Sequence, residues 1–290
     1  MNARRSLAVA AALALTITSA PAATASGSPG RSTAQEVRNE RTVRAVVDQL
    51  FNGHDVSAVD RYFEEPYIQH NPDVAGGLAG LKAAIPQLPD LRYDVFTVLA
   101  DGDFVTTDAR VLGLGETPKI IVDVFRLDRG RIVEHWDVIQ DEVPASETAS
   151  GNPMISATPV AHSWRDNQRI VTTALDELFG RRDLTALDRY WSDPYVEHAP
   201  HATDGVRSLR AEVRGLPAGF SYEPGLIMGD GDRVVVHALV RGVAPEPVIS
   251  VQIFRLDRGK IVEHWENVQV AVPADQSANG NPMTTPRLDA

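Results

Sequence analysis

The sequence predicts an α+β fold built twice, as two tandem domains in which helices pack on a curved antiparallel sheet. Three observations carry that prediction. The string IVEHW occurs at Ile132 to Trp136 and again at Ile261 to Trp265, each time just after FRLDRG. The same spacing, to within one residue, brings most of the chain into register: Tyr67-Ile-Gln-His-Asn-Pro72 falls on Tyr195-Val-Glu-His-Ala-Pro200, Asp101-Gly-Asp103 on Asp230-Gly-Asp232, and Gly151-Asn-Pro-Met154 on Gly280-Asn-Pro-Met283. Within each copy, apolar residues at helical spacing precede β-rich runs, the order expected when helices cover one face of a sheet. Two copies of single-domain length make a duplication and not a solenoid.

Along the chain, residues 1–25 read as a cleavable export signal. Arg4 and Arg5 are basic, Ser6 to Thr18 are mainly apolar, and Ala23-Thr24-Ala25 has the small-x-small form of a cleavage site near Ala25. The apolar run is too short for a comfortable membrane span and no second one follows. The expectation is a secreted protein without stable membrane association, exported by the general secretory or the twin-arginine route. Residues 26–37 are expected to be a flexible N-terminal segment, 38–143 the first domain, 144–163 a linker rich in Ala, Ser, Thr and Pro, 164–273 the second domain, and 274–290 a C-terminal tail.

In the first domain Val43, Val46, Val47, Leu50 and Phe51 predict a helix, as do Ile170, Val171, Ala174, Leu175 and Leu178 in the second. A second short helix is expected over Ser57 to Phe63 and Leu184 to Trp191, and a third over Leu78 to Leu88 and Val206 to Leu216. Four strands follow at Tyr93 to Leu99, Phe104 to Leu112, Ile120 to Leu127 and Arg131 to Ile139, with equivalents in the second copy.

Composition narrows the chemistry. There is no cysteine, which excludes disulfides, thiolate metal sites and cysteine nucleophiles. A hydrophobic content of 43% lets an exported domain hold itself together by its core. The formal charge of -11 argues against nucleic acid and anionic membranes as partners. Neither a glycine-rich phosphate loop, a GxSxG elbow, a nucleotide fingerprint nor an HExxH motif is present, so neither a cofactor nor a metal is expected.

The repeated hairpin holds the candidate site. Asp128-Arg129-Gly130 suits a three-residue loop with glycine in the left-handed place. Leu127 then pairs with Arg131, which puts Phe125 opposite Val133 and Asp123 opposite His135. By alternation Asp137 shares their face. An acid, an imidazole and a second acid among apolar side chains can move protons. A two-residue loop at Arg129-Gly130 would instead turn His135 to the other face. In the second copy Gln252 lies opposite His264 and Glu266 replaces Asp137; an amide cannot accept and return a proton, so this copy lacks the first acid. On the preceding strand Asp108 aligns with His237.

Asp123 to Gln140 and Tyr67 to Pro72 resemble the closing hairpin and the segment after the second helix of the SnoaL-like polyketide cyclases, in the nuclear-transport-factor-2-like superfamily. The strongest resemblance is to SnoaL-like proteins predicted to catalyse aldol condensation, and it covers nearly all of both halves outside signal and linker. It implies a conical α+β barrel with a ligand pocket at the open end. It further implies an aspartate acting as acid and base on the strand before the last turn, matched by Asp123 and Gln252, and an assisting histidine, matched by His237 where the first copy has Asp108. Each half departs from that pattern at one place.

Two functions follow as expectations. One is a cofactor-independent lyase or isomerase, of aldol or cyclase type, acting through an enolate on a small ketone or polyketide-like compound: Asp123 abstracts the proton while His135 and Asp137 hold it in place. The other is an exported, non-catalytic binding protein for a small apolar ligand. Pocket candidates are Tyr67, His70, Asp108 and Phe125 in the first half and Tyr195, His198, His237, Gln252, His264 and Glu266 in the second. His70 and His198 equally suit a structural hydrogen bond to a loop. Trp136 and Trp265, on the opposite hairpin face, suit core packing or a domain interface. A covalent duplication could also pack as an internal pseudo-dimer.

Overall fold

The computed structural model describes residues 33–155, 160–161 and 166–286; the expected export signal lies outside them. In the first half, α1 (Ala34–Val46) runs into a π-helical turn (Val47–Phe51), followed by α2 (Ala58–Tyr62), β1 (Phe63–Gln69), α3 (Gly77–Ala84) and β2 (Arg92–Asp101). Then come β3 (Phe104–Leu112), β4 (Lys119–Asp128) and β5 (Arg131–Asp141). The second half repeats the order: α4 (Asn167–Leu175), a π-helical turn (Asp176–Gly180), α5 (Ala186–Tyr190), β6 (Trp191–Glu197), α6 (Val206–Gly215), β7 (Ser221–Asp230), β8 (Arg233–Arg241), β9 (Val248–Asp257) and β10 (Lys260–Val270).

The first helix starts earlier than the sequence suggested. Thr33 Oγ1 accepts from Glu36 N at 3.2 Å while Thr33 N donates to Glu36 Oε2, a capping box that satisfies two free donors and makes the chain helical from Ala34. Residues 34–37 therefore belong to α1 and not to a flexible segment.

The sheets have the strand orders β1-β5-β4-β3-β2 and β6-β10-β9-β8-β7. Strands β2 to β5 and β7 to β10 pair antiparallel, whereas β1 and β6 lie parallel to β5 and β10. These two strands correct the sequence reading, which extended a helix through Phe63 and Trp191. Pro66 and Pro194 favour an extended residue before them and cannot donate within a helix, so the chain turns to strand immediately after α2 and α5. Pairing of β1 brings Gln69 beside His135, and that of β6 brings Glu197 beside His264.

Each sheet has two apolar faces, and alternation divides the side chains between them. Val105, Ala109, Val111, Ile121 and Phe125 pack under α1 to α3 with Val43, Val46, Leu50 and Tyr67. Facing the other way, Val122, Val124, Trp136 and Val138 form one cluster with Met228, Val235, Val251, Ile253 and Trp265 of the second half. The halves thus pack sheet to sheet, helices outside, as a pseudo-dimer. Reciprocal bonds mark the two-fold relation: Ile139 N donates to Gln269 Oε1 and Val268 N to Gln140 Oε1, each 2.9 Å. Gly229 N donates to Asp101 Oδ2 at 2.8 Å and Ala100 N to Asp230 Oδ2 at 3.0 Å.

The segments after β5 and β10 cross to the opposite half. Asn152 Nδ2 donates to Glu197 O and Asn281 Nδ2 to Gln69 O, both at 2.9 Å. Ala149 N reaches Pro200 O, and Ala278 N reaches Pro72 O. Met154 and Met283 are buried. The repeated Gly-Asn-Pro-Met is therefore an exchanged clasp, so the first part of the expected linker and most of the expected tail are structural. Among the described residues no helix is long and apolar enough to cross a membrane.

Candidate functional site

The closing turn of the first half has two residues, Arg129 and Gly130, both in the left-handed region (φ 50° and 80°), so Asp128 pairs with Arg131 and Leu127 with Ile132. This corrects the three-residue loop. Such a turn alone would carry His135 to the face that packs on the second half, but a β-bulge at Val133 inserts one residue, and beyond it Arg126 pairs with Glu134, Phe125 with His135 and Asp123 with Asp137. The two departures cancel. Asp123, Phe125, His135 and Asp137 share the face under the helices.

His135 Nε2 is 3.0 Å from Asp123 Oδ1, and Thr107 Oγ1 donates to Asp123 Oδ2 at 2.9 Å. His135 Nδ1 is 3.1 Å from Gln69 Oε1. That oxygen also accepts the backbone N–H of His70 and of Asn71, which fixes the amide's orientation, and a carbonyl oxygen can only accept. The Nδ1 proton is thereby assigned, and Nε2 and Asp123 share the next one. Asn71 Nδ2 donates to Asp137 Oδ2 at 2.6 Å, while Asp137 Oδ1 is buried with no hydrogen-bond partner.

The electrostatics follow from burial. Burial pushes the Asp137 carboxyl up to about 6, the charge of Asp123 adding to the effect and that of His135 opposing it. For His135 burial works against the charged ring, but the hydrogen bond to Asp123 and the charges of Asp137 and Asp123 outweigh it and raise its pKa. The Tyr67 and Tyr93 phenols are held protonated, by burial first and then by the two aspartates. The Tyr67 hydroxyl accepts from Gln69 Nε2 at 3.1 Å, leaving its own hydrogen to donate. Phe125 packs on the His135 ring, centroids 4.8 Å apart. Asp123, His135 and Asp137 also present atoms within 4.8 Å of one another, a spacing that could hold a cation.

In the second half Tyr195, Gln252, His264 and Glu266 line a cavity of about 660 Å³ beneath α6 and the sheet. Gln252 is engaged at both ends: Tyr222 OH donates to its Oε1 at 3.0 Å, and its Nε2 donates to Glu266 Oε1 at 3.0 Å. Glu266 Oε1 also accepts from Ser250 Oγ at 2.7 Å. An amide stands at the place of Asp123, as the sequence indicated, but the half is not without an acid beside its histidine. Glu197 stands where the first half has Gln69, with Oε1 and Oε2 at 2.9 and 3.0 Å from His264 Nδ1.

Four pocket candidates lie elsewhere. His70 stacks on Trp136 (4.5 Å) with Nδ1 at 2.6 Å from Pro282 O and Nε2 at 2.9 Å from Glu134 Oε1, and His198 repeats this with Trp265, Pro153 O and Glu263. Both histidines bind the exchanged clasp, the structural alternative raised for them. Asp108 and His237 belong to the interface, because β3 and β8 direct even and odd positions to opposite faces. Thr106, two residues from Asp108, reaches Met228 of the second half, and His237 Nδ1 lies 3.3 Å from Thr285 Oγ1. Burial pushes Asp108 up to about 7 against the pull of His198, and pushes His237 down to about 3.

Gln69, Asn71, Tyr93, Thr107, Glu197 and Tyr222 escaped the sequence reading. One signal was available: the copies differ by Asp123 against Gln252 and, in the opposite sense, by Gln69 against Glu197.

Two SnoaL-like domains match the chain, over residues 43–135 and 171–264, and the chain belongs to that family. Solved structures similar to this chain include a proposed SnoaL-like polyketide cyclase from Jannaschia sp. CCS1 (20% identity, 38% of this chain and 90% of that one, TM-score 0.34). An NTF2-like protein of unknown function from Mesorhizobium loti is 22% identical over 38% of this chain and 97% of that one, TM-score 0.34. A proposed ketosteroid isomerase from Kribbella flavida is 10% identical over 37% and 81%, TM-score 0.34. No curated protein matches the chain.

Proposed function

We propose that the first half is a cofactor-independent isomerase or lyase of cyclase type, acting through an enolate on a small ketone or polyketide-like compound. The observation that carries this reading is a buried, hydrogen-bonded Asp123–His135 pair beside Asp137, whose Oδ1 has no partner. Asp123 has both oxygens engaged, so the base is Asp137 and not, as the sequence suggested, Asp123. The Asp137 oxygen takes a proton from carbon next to a carbonyl; the Asp123–His135 pair shares the proton that balances the cluster's charge; and Tyr67 donates to the developing oxyanion. A carboxylate near pH 6 is basic enough for this and still largely ionised at neutral pH. Family membership supports the same class. Export through residues 1–25 belongs to the proposal and rests on their charge, apolar run and cleavage pattern.

The test is deuterium exchange at carbon, followed by NMR, for ketones and β-keto esters incubated with the mature protein. A fall in exchange on Asp137→Asn supports enolate chemistry at this site. Buffer-level exchange alongside saturable ligand binding would replace it with the binding-protein reading, which the second half's cavity also accommodates.

A further inference from the structure

The two halves place acid and amide on opposite sides of the same histidine. In the first, the amide Gln69 meets Nδ1 and the acid Asp123 meets Nε2; in the second, the acid Glu197 meets Nδ1, and Gln252 is turned away into bonds with Tyr222 and Glu266. Glu197 is itself held on all sides. Its Oε1 accepts from His198 N and Ala199 N, and its Oε2 from Tyr195 OH at 3.0 Å. Those donors, with His264, keep the carboxylate charged despite burial. A fixed carboxylate on Nδ1 holds the proton there and leaves the Nε2 lone pair free, the tautomer a general base requires. No hydrogen bond engages His264 Nε2 among the described residues, and the ring lines the cavity, stacked on Phe254 at 4.7 Å.

We propose that the second half is a second and chemically distinct proton-transfer site, in which His264 is the base, Glu197 its positioning residue, and the substrate an uncharged or cationic carbonyl compound with an apolar body. The charge preference comes from the walls: Leu175, Phe179, Trp191 and Phe220 supply apolar surface, Glu212 and Glu266 supply carboxylates, and among the described residues no lysine or arginine lines the cavity. An anionic substrate would face the carboxylates of Glu212 and Glu266. In the reaction Nε2 takes the proton from carbon next to the carbonyl. The C–H pair becomes a C=C bond while the carbonyl π pair moves to oxygen, and Glu197 balances the imidazolium. Nε2 then returns the proton to the same carbon or to the conjugated one. Return to the same carbon is exchange without net change, and return to the conjugated carbon is an isomerisation; neither needs an oxidant or a leaving group.

This shares the enolate reading but uses separate residues, which lets the two be separated. The probes are 2-tetralone, neutral, and phenylpyruvate, anionic, with the mature full chain in deuterated water. In the variant Asp123→Asn/Asp137→Asn, exchange of 2-tetralone should persist and then fall about 10²-fold or more on adding His264→Gln. Phenylpyruvate should exchange far more slowly. Glu197→Gln copies the first half's own arrangement and should fold; it should slow exchange and move the alkaline rise in rate to lower pH, since the charge facing His264 would come only from Glu266, Glu212 and His201. A merely structural Glu197 would not move that profile. Exchange abolished by the double variant but untouched by His264→Gln would overturn this inference and leave the first-half site standing. The opposite pattern would uphold it and overturn the first-half reading, and buffer-level exchange in the wild type would overturn both.

Discussion

His135 Nε2 and Asp123 Oδ1 lie 3.0 Å apart across two strands that reach the same face only because a bulge at Val133 restores what the two-residue turn removes. Deleting Val133 removes the bulged residue itself and leaves Arg126 opposite Glu134, Phe125 opposite His135 and Asp123 opposite Asp137 in a regular ladder, so the pair and first-half proton exchange should survive. Exchange by NMR and thermal unfolding of the deletion variant check this; loss of exchange together with a lowered transition would mean that His135 had left the helix side.

Asp137 and Asp123 should separate kinetically. Asp137→Asn removes the oxygen assigned to receive the proton, and first-half exchange should fall about 10² to 10⁴-fold. Asp123→Asn keeps that oxygen but replaces a charge-assisted bond to His135, so its effect on rate should be smaller and its cost in stability about 1.5–3 kcal/mol. Exchange by NMR and urea unfolding of each variant check the two halves of the statement. Dialysis against a chelator should leave the rate unchanged, because the residues named move the proton themselves.

Asp108 makes the interface pH-dependent. Its folded pKa is raised to about 7 by burial, so the stability from keeping it protonated is fully present below the unfolded value near 4 and is lost as pH rises through 7. Asp108→Asn should therefore match the wild type near pH 4 and be more stable at pH 8, by on the order of 4 kcal/mol. His237 has the opposite sign: its pKa is depressed to about 3, so its contribution is present above pH 6.5 and is lost as pH falls toward 3. Denaturant midpoints of wild type and Asp108→Asn across this range would show the difference growing between pH 4 and 7; a constant difference would contradict the assignment.

Met283 tests the exchanged clasp. It is 3% exposed among Trp136, Met228 and their neighbours, although it lies beyond the second sheet in sequence. Met283→Ala should cost about 2–5 kcal/mol, as a core truncation does, whereas a loose tail would tolerate it at no cost. Calorimetry should show the lowered transition.

The sequence by itself determined the duplication, the helices and the four antiparallel strands that close each half, and the shared face of Asp123, His135 and Asp137, because helical and strand periodicities are local properties of the chain. Even there the face was reached through a register that had to be corrected twice, since a turn's length and a bulge depend on backbone conformation and not on side-chain type. The parallel β1 was hidden because Phe63-Glu-Glu-Pro66 lacks strand alternation, and its partner lies almost seventy positions away. The exchange of acid and amide between Gln69 and Glu197 was visible in the aligned copies but had no meaning until β1 and β6 stood beside the histidines. Asp108, His237, His70 and His198 could not be sorted by alternation, which says that residues share a face but never which of two buried faces it is. That decision belongs to the tertiary structure: one face of each sheet is covered by helices and the other by the second half, and only the packing of the halves assigns a buried polar group to a pocket or to an interface.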